Sequence, residues 1–321
     1  MAEESYYANS TPAPADGEAD RSRAELDALF GRTASLAATP RSVAELPGGL
    51  TNRNYKVTTP DGTFVARISS GGSELLAIDR DCEYRNSVTA AEAGAGAPVV
   101  EYRPHDRVLI IGFIEGRTFG NEDVAANIPR VAEACRRLHA GGRFGNDFDM
   151  FDIQRRYLDV ARSRGFKIPA GYDDLKPAFD AARAALAVRD TGTVPCNNDL
   201  LAANFIDDGE RIWLIDYEYS GNNDPCFELG NIAGECRLSR DGLAELVTAY
   251  YGKPLRNKIA RARLLGVVGM YGWTLWGAIS NAASALDFDF WSWAMERFEG
   301  AAAGFTADDF GQLLEDVQRD D

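Results

Sequence analysis

The chain has 321 residues, 45% of them hydrophobic and 10% aromatic, enough to bury one sizeable core or two smaller ones. Its 49 acidic residues against 34 basic ones leave a formal net charge of -15; such a surface repels phosphate backbones, argues against nucleic acid as a partner, keeps the protein soluble and weakly favours a cationic small molecule. Five scattered cysteines without a CxxC pair point to free thiols in a reducing cytoplasm, two histidines exclude a histidine-rich metal site, and no apolar run approaches a bilayer span, so no membrane insertion is expected.

Residues 1 to about 22 are rich in Ala, Pro, Ser, Asp and Glu and read as a disordered leader without an apolar signal core. A helical pattern follows, with Leu26, Leu29 and Phe30 at spacings of three and four before Gly31. From about 41 to 114 the chain is strand-like. Asn54 to Thr59 and Thr63 to Ile68 flank the turn Pro60-Asp61-Gly62, which predicts a hairpin. A helix containing Glu83 runs to Gly94-Ala95-Gly96, and Val99 to Tyr102 and Val108 to Ile114 are again strand-like. From about 120 the pattern turns helical, except between Val194 and Asp216. There Asn204-Phe205-Ile206 and Arg211 to Ile215 flank Asp207-Asp208-Gly209 as a second hairpin. The expectation is an α+β chain: a leader over 1–22, a small antiparallel β-sheet lobe with one main helix over 23–114, and a larger, mostly helical lobe over 115–321. That is the layout of a bilobal, protein kinase-like fold.

The chemistry concentrates around the second hairpin. Phosphoryl transfer needs an acceptor for the attacking hydroxyl's proton, magnesium ligands, and cations or amides on the phosphates. Asp199 and Asn204 form a D-x-x-x-x-N spacing on one tight loop, and Asp216 follows the apolar strand Trp213-Leu214-Ile215. Asp199 is the expected orienting base, with Asn204 and Asp216 as magnesium ligands and Glu218 as a further candidate. Upstream, Leu46-Pro47-Gly48-Gly49-Leu50-Thr51-Asn52 precedes a strand: Gly48 and Gly49 let backbone amides approach phosphates, and Thr51 and Asn52 add side-chain donors. A Gly-Gly pair by itself is more often a plain loop.

The run Asn197-Asn198-Asp199, the segment Asp216-Tyr217-Glu218-Tyr219 and the segment Phe227-Glu228-Leu229-Gly230-Asn231 resemble the catalytic centre of the choline/ethanolamine kinase family, which is related in fold to aminoglycoside phosphotransferases and protein kinases. The resemblance runs from about Leu46 to Phe298. Its members carry His-Asn-Asp where this chain has Asn197-Asn198-Asp199; that histidine buttresses the loop, and asparagine also hydrogen-bonds backbone, so its loss bears on rigidity and not on a catalytic group. They also carry a similar Gly-Gly-x-Ser-Asn segment. The resemblance makes Arg67 a fixed cation on the phosphates with Glu83 as its partner, and Ile111 to Gly116 the inter-lobe hinge that holds adenine by backbone groups.

Trp273 and Trp276 share a helical face, and Phe288, Phe290, Trp291 and Trp293 follow. The residues alone admit either an aromatic-rich core or a cation–π cage for a quaternary ammonium. The resemblance favours the cage: Trp273, Trp276, Phe288 and Trp293 fall on aromatics that line the family's choline site, and Glu235 on a carboxylate near the ammonium. A further pocket tyrosine of the family is absent, since this chain reads Cys236-Arg237-Leu238-Ser239-Arg240 there. The resemblance thus implies a cytoplasmic kinase that uses ATP and Mg2+ to convert choline to phosphocholine. Ethanolamine or another aminated alcohol such as an aminoglycoside is the alternative acceptor, and a catalytically silent, cation-sensing pseudokinase the lesser one. A homodimer is an allowed assembly.

Overall fold

Period-two alternation sets the first unit of the chain. The computed structural model describes residues 16–69 and 73–320. Helix α1 (Asp16–Gly31) leads into strands β1 (Ser42–Leu46), β2 (Asn52–Thr59), β3 (Gly62–Ser69), β4 (Val99–Arg103) and β5 (Val108–Gly112). The strands pair antiparallel in the order β1-β2-β3-β5-β4. Tyr55 and Val57 alternate inward on β2 and meet Ala66, Val108 and Ile110, and Phe30 of α1 with Leu36 closes over them. The Phe30 ring stands edge-on to Tyr55 at 6.1 Å. Strand β1, exposed along most of its length, was not singled out within the strand-like stretch, whereas β2 to β5 were expected. The start of α1 was not: residues 1–15 of the expected leader lie outside the described residues, and the helix begins at Asp16, in a stretch too poor in apolar residues to show a helical period.

Among the described residues the first compact unit runs through Ser73 and takes in Ala97–Ile114; the second comprises Glu74–Gly96 and the chain from Glu115 onward. The second unit therefore includes helix α2 (Arg80–Glu92), whose Asn86 amide donates to Asn146 Oδ1 at 2.8 Å and to the Ser220 hydroxyl at 3.0 Å. Its other helices are α3 (Asn121–Ala126), α4 (Ile128–His139), α5 (Met150–Ser163), α6 (Lys176–Ala187), α7 (Pro225–Glu235), α8 (Arg240–Tyr251), α9 (Arg256–Ala283), α10 (Phe290–Phe305) and α11 (Phe310–Asp316). Two small sheets interrupt them. The expected hairpin is β8 (Phe205–Asp207) with β9 (Ile212–Leu214), extended by β6 (Arg117–Thr118); β7 (Val194–Cys196) pairs with β10 (Gly221–Asn223). Strands of two or three residues such as β6 and β10 are too short for a period to reveal them. Among the described residues no helix is long and apolar enough to cross a membrane.

The long helix α9 packs against α7 on one side and α10 on the other. Both crossings require glycine. A Cβ on Gly230 of α7 would stand 2.0 Å from the Ala262 carbonyl oxygen and 2.8 Å from the Gly266 nitrogen, so the two backbones touch there. A Cβ on Gly277 of α9 would meet the Ala294 Cβ and Trp293 Cε3, both at 2.8 Å. These contacts set the depth at which the three helices nest, and with it the position of the side chains described below. Gly230→Ala forces rigid backbones apart and should lower the unfolding free energy by about 1–3 kcal/mol, read as a lower denaturant midpoint. Gly311→Ala, where an added Cβ meets nothing within 4 Å, should be neutral or slightly stabilising in the same titration. Equal midpoints for the two variants would contradict this account of the crossing.

Candidate active site

Strand β7 delivers the chain into the loop 197–204, which three asparagines lace to the segment around Asp216. Asn197 is fully buried. Its Nδ2 donates to the carbonyls of Ile215 at 3.1 Å and Asp216 at 2.9 Å, and its Oδ1 accepts the Asp199 N–H at 3.1 Å. Asn197 therefore buttresses backbone at the position where the resemblance has histidine. Asn198 adopts φ +68°, a left-handed conformation that asparagine tolerates, and its Nδ2 donates to the Tyr219 carbonyl at 3.0 Å. Asn204 donates from Nδ2 to the Asp199 carbonyl at 2.7 Å and accepts the Ile215 N–H at 3.0 Å. Asp216 itself lies at φ +66°. Loop and segment thus share one hydrogen-bonded frame that carries Asp199, Asn204 and Asp216 together. Burial pushes the Asp199 carboxyl well above the usual carboxylate range; the negative charges of Glu235, Asp216 and Glu218 push it further, and Arg297 opposes them.

Helix α7 presents Glu228, Asn231 and Glu235 at spacings of three and four, hence on one face. The fully buried Glu228 accepts the Asn198 N–H at 2.6 Å through Oε2 and bonds His139 Nε2 at 3.1 Å through Oε1. One turn on, Asn231 Oδ1 accepts the Trp273 indole N–H at 3.1 Å. At the end of the helix Glu235 Oε2 accepts from Arg297 of α10 at 2.5 Å. Tyr219, three residues after Asp216, accepts the Trp276 indole N–H at 2.6 Å and lies edge-on to Trp273, ring centroids 5.0 Å apart. Trp276 continues to Trp293 at 5.0 Å and to Phe290 at 5.9 Å, and Phe288 joins through Phe290 at 4.8 Å. The structure thus brings Trp273, Trp276, Trp293 and, at the margin, Phe288 into one aromatic group, with Glu235 tied to Trp293 through Arg297. Trp291 is not part of it and stacks instead beneath Lys167, 3.6 Å from its ring centroid. In the stretch from Cys236 to Arg240, which lacks the tyrosine of the resemblance, Arg237 pairs with Glu296 at 2.8 Å.

The remaining predicted residues fall in both units. In the first, Gly48 and Gly49 turn the chain between β1 and β2 at φ +88° and +90°, and a Cβ on Gly49 would lie 2.6 Å from the Asn52 carbonyl oxygen. Thr51 and Asn52 are buried behind this turn, with Asn52 Nδ2 donating to Thr51 Oγ1 at 3.2 Å, and Arg67 is buried on β3. In the second unit, Glu83 of α2 receives Arg80 at 2.7 Å, and the same guanidinium nitrogen reaches Glu218 at 3.0 Å. A cavity of about 430 Å³ opens beside Glu218 and Tyr219, with Asp79, Asp149 and Asp152 on its wall; the tryptophans do not line it. Sequence reasoning assigned no role to Arg80, Tyr219, Glu228, Asn231 or Arg297. The i, i+3 spacing of Arg80 to Glu83 and the shared face of α7 were legible signals; the approach of Arg297 to Glu235 was not.

A model described as a phosphotransferase enzyme family matches residues 42–265 of the chain. The LicA protein of Haemophilus influenzae is 27% identical over 217 residues, 63% of this chain and 61% of LicA, so the chain spans less than two thirds of that relative. Ethanolamine kinase 2 of Rattus norvegicus is 30% identical over 264 residues, 73% of this chain and 68% of the relative. The crystal structure of a choline/ethanolamine kinase family protein from Mesorhizobium loti superposes with a TM-score of 0.81 at 31% identity, covering 92% of this chain and 99% of that one. With the fold, the laced loop and these matches in agreement, the chain belongs to the phosphotransferase enzyme family and, within it, to the choline/ethanolamine kinases.

Proposed function

We propose that the protein is an ATP- and Mg2+-dependent kinase that phosphorylates the hydroxyl of choline to give phosphocholine. One observation carries this reading: a single face of α7 is bonded to the Asp199 loop at Glu228 and to the tryptophan helix at Asn231, and it ends on Glu235, the charge that most strongly raises the Asp199 carboxyl. A carboxylate beside aromatic faces suits a permanent cation, which attracts ring quadrupoles and donates no hydrogen bonds. Glu235, Trp273, Trp276, Phe288 and Trp293 then hold the trimethylammonium end, and Asp199 orients the hydroxyl for in-line attack. Ethanolamine is the second reading, favoured by the identity to the rat ethanolamine kinase.

Asn204 and Asp216 fit a hard cation. Asn204 spends its amide nitrogen on the Asp199 carbonyl, which leaves Oδ1 as the oxygen to offer. Glu218 already carries Arg80 and ranks behind them. When bound there, magnesium neutralises charge on the transferring phosphates. On the nucleotide side, the reading assigns the phosphates to the Gly48–Gly49 turn, Thr51, Asn52 and Arg67.

A panel of choline, ethanolamine and methylated ethanolamines, read by ADP release, tests the activity; no ADP above the ATP-only background with any of them would overturn it. Asp199→Ala should lower kcat by about 100-fold or more, and full activity would remove Asp199 from the mechanism. Trp276→Ala should cost choline about 10-fold more in kcat/KM than ethanolamine. Asp199→Asn should be inactive yet more heat-stable than the wild type when magnesium is absent. The sign follows from the raised carboxyl: above the unfolded value near 3.9, folding must hold a disfavoured charge or take up a proton, and that cost grows until pH passes the folded value. The gain in Tm should therefore be present at pH 7 and vanish as pH falls below about 4. A lower Tm for Asp199→Asn at pH 7 would contradict the electrostatic account.

A further inference from the structure

Away from the aromatic group, three side chains of metal-ligating type converge from elements distant in sequence. His139 ends α4, Cys196 ends β7, and Glu228 lies in the first turn of α7. Cys196 and Glu228 are fully buried and His139 is nearly so. His139 Nε2 lies 3.1 Å from Glu228 Oε1 and 3.6 Å from Cys196 Sγ, and all three atoms fall within 4.8 Å of one another. Zinc bonds to nitrogen and oxygen are about 2.0–2.1 Å long and those to sulfur about 2.3 Å, so a tetrahedral site has edges of about 3.3 Å for N–O and about 3.6 Å for N–S. Both edges that meet at His139 agree with these lengths to within a few tenths of an ångström.

Two of the three groups are also held from behind, as metal ligands are. His139 Nδ1 is 2.7 Å from the Tyr250 hydroxyl, and Glu228 Oε2 accepts the Asn198 N–H at 2.6 Å. The Cys196 thiol has longer contacts, 3.6 Å to His139 and 3.7 Å to the Asn223 carbonyl. We infer that His139, Cys196 and Glu228 form a zinc site, with an imidazole nitrogen, a thiolate and one carboxylate oxygen taking three of the ion's four positions. Magnesium and calcium take oxygen ligands, whereas a mixed nitrogen, sulfur and oxygen set suits Zn2+. Thiolate and carboxylate together cancel the charge of the divalent ion, so the buried site is neutral. On binding, Cys196 releases its proton to solvent. The imidazole proton moves from Nε2 to Nδ1, where the Tyr250 hydroxyl accepts it. Glu228 Oε2 stays on Asn198, so the ion ties α4, β7 and α7 to the loop that carries Asp199. This site is distinct from the hard-cation position at Asn204 and Asp216, and it does not depend on which alcohol accepts the phosphoryl group.

Full-length protein produced in zinc-supplemented medium, so that the ion can join during folding, tests the assignment with magnesium kept in excess. About one zinc should remain per chain, and X-ray absorption should show one sulfur neighbour at about 2.3 Å with lighter atoms at about 2.0 Å. Zinc at about a hundred times its Kd should raise Tm by about 5 °C. Cys196→Ser keeps a hydrogen-bonding hydroxyl and removes the thiolate; it should lose the sulfur neighbour and bind zinc at least about 10-fold more weakly. Cys82→Ser, which removes a thiol outside the cluster, should match the wild type. The absence of retained zinc, zinc without a sulfur neighbour, or equal zinc affinity in Cys196→Ser and the wild type overturns the assignment. A loss in Cys82→Ser as large as in Cys196→Ser overturns it as well. The wild-type absorption spectrum decides the question even if Cys196→Ser fails to fold.

Discussion

The hydrogen bond from the Asn198 backbone to Glu228 is the contact on which the second unit's candidate site depends. Glu228 is fully buried, and a buried carboxylate persists only when its oxygens are satisfied. Both are: one by the Asn198 amide, the other by His139. The tautomer that serves both of the imidazole's neighbours donates from Nε2 to Glu228 and accepts at Nδ1 from the Tyr250 hydroxyl, 2.7 Å away. Removing any member strands a polar group in the interior, so the loop is held to α7 in one geometry.

Because that loop is anchored to a helix, the helix becomes a ruler. Two turns separate Glu228 from Glu235, about 10 Å along the axis. Asn231 lies between them and fixes Trp273. The backbone contact at Gly230 lets α9 come close enough for these bonds to form, and the contact at Gly277 brings Trp293 and Arg297 of α10 to the far end. Tyr219 closes the frame from the other side, since it belongs to the Asp216 segment and bonds the tryptophan helix.

How far this was legible in the sequence differs by element. Strands β2 to β5 of the first sheet were, because Tyr55 and Val57 alternate and Pro60-Asp61-Gly62 marks the turn. The D-x-x-x-x-N loop and Asp216 were also legible, because their spacing and the flanking hairpin are local. The tryptophan pair was visible only as a helical face that allowed a core or a cage. The structure shows why the two readings were hard to separate: Trp273 and Trp276 are buried, like core residues, and at the same time hydrogen-bonded to Asn231 and Tyr219. What escaped were contacts between residues distant in sequence. Arg297 reaches Glu235 across 62 positions and Arg80 reaches Glu218 across 138, and no periodicity encodes such a meeting. The replacement of histidine by Asn197 was legible as an irregularity, but the three bonds that make it an adequate buttress were not.

The central claim is that Asp199 and the tryptophan group are two ends of one substrate site. A crystal structure of the protein with choline and an ATP analogue tests it most directly. The account predicts the choline hydroxyl within hydrogen-bond distance of the Asp199 carboxylate and the N-methyl groups within about 6 Å of the Trp276 and Trp293 ring centroids. Choline bound away from these rings, or with its hydroxyl turned from Asp199, would contradict it.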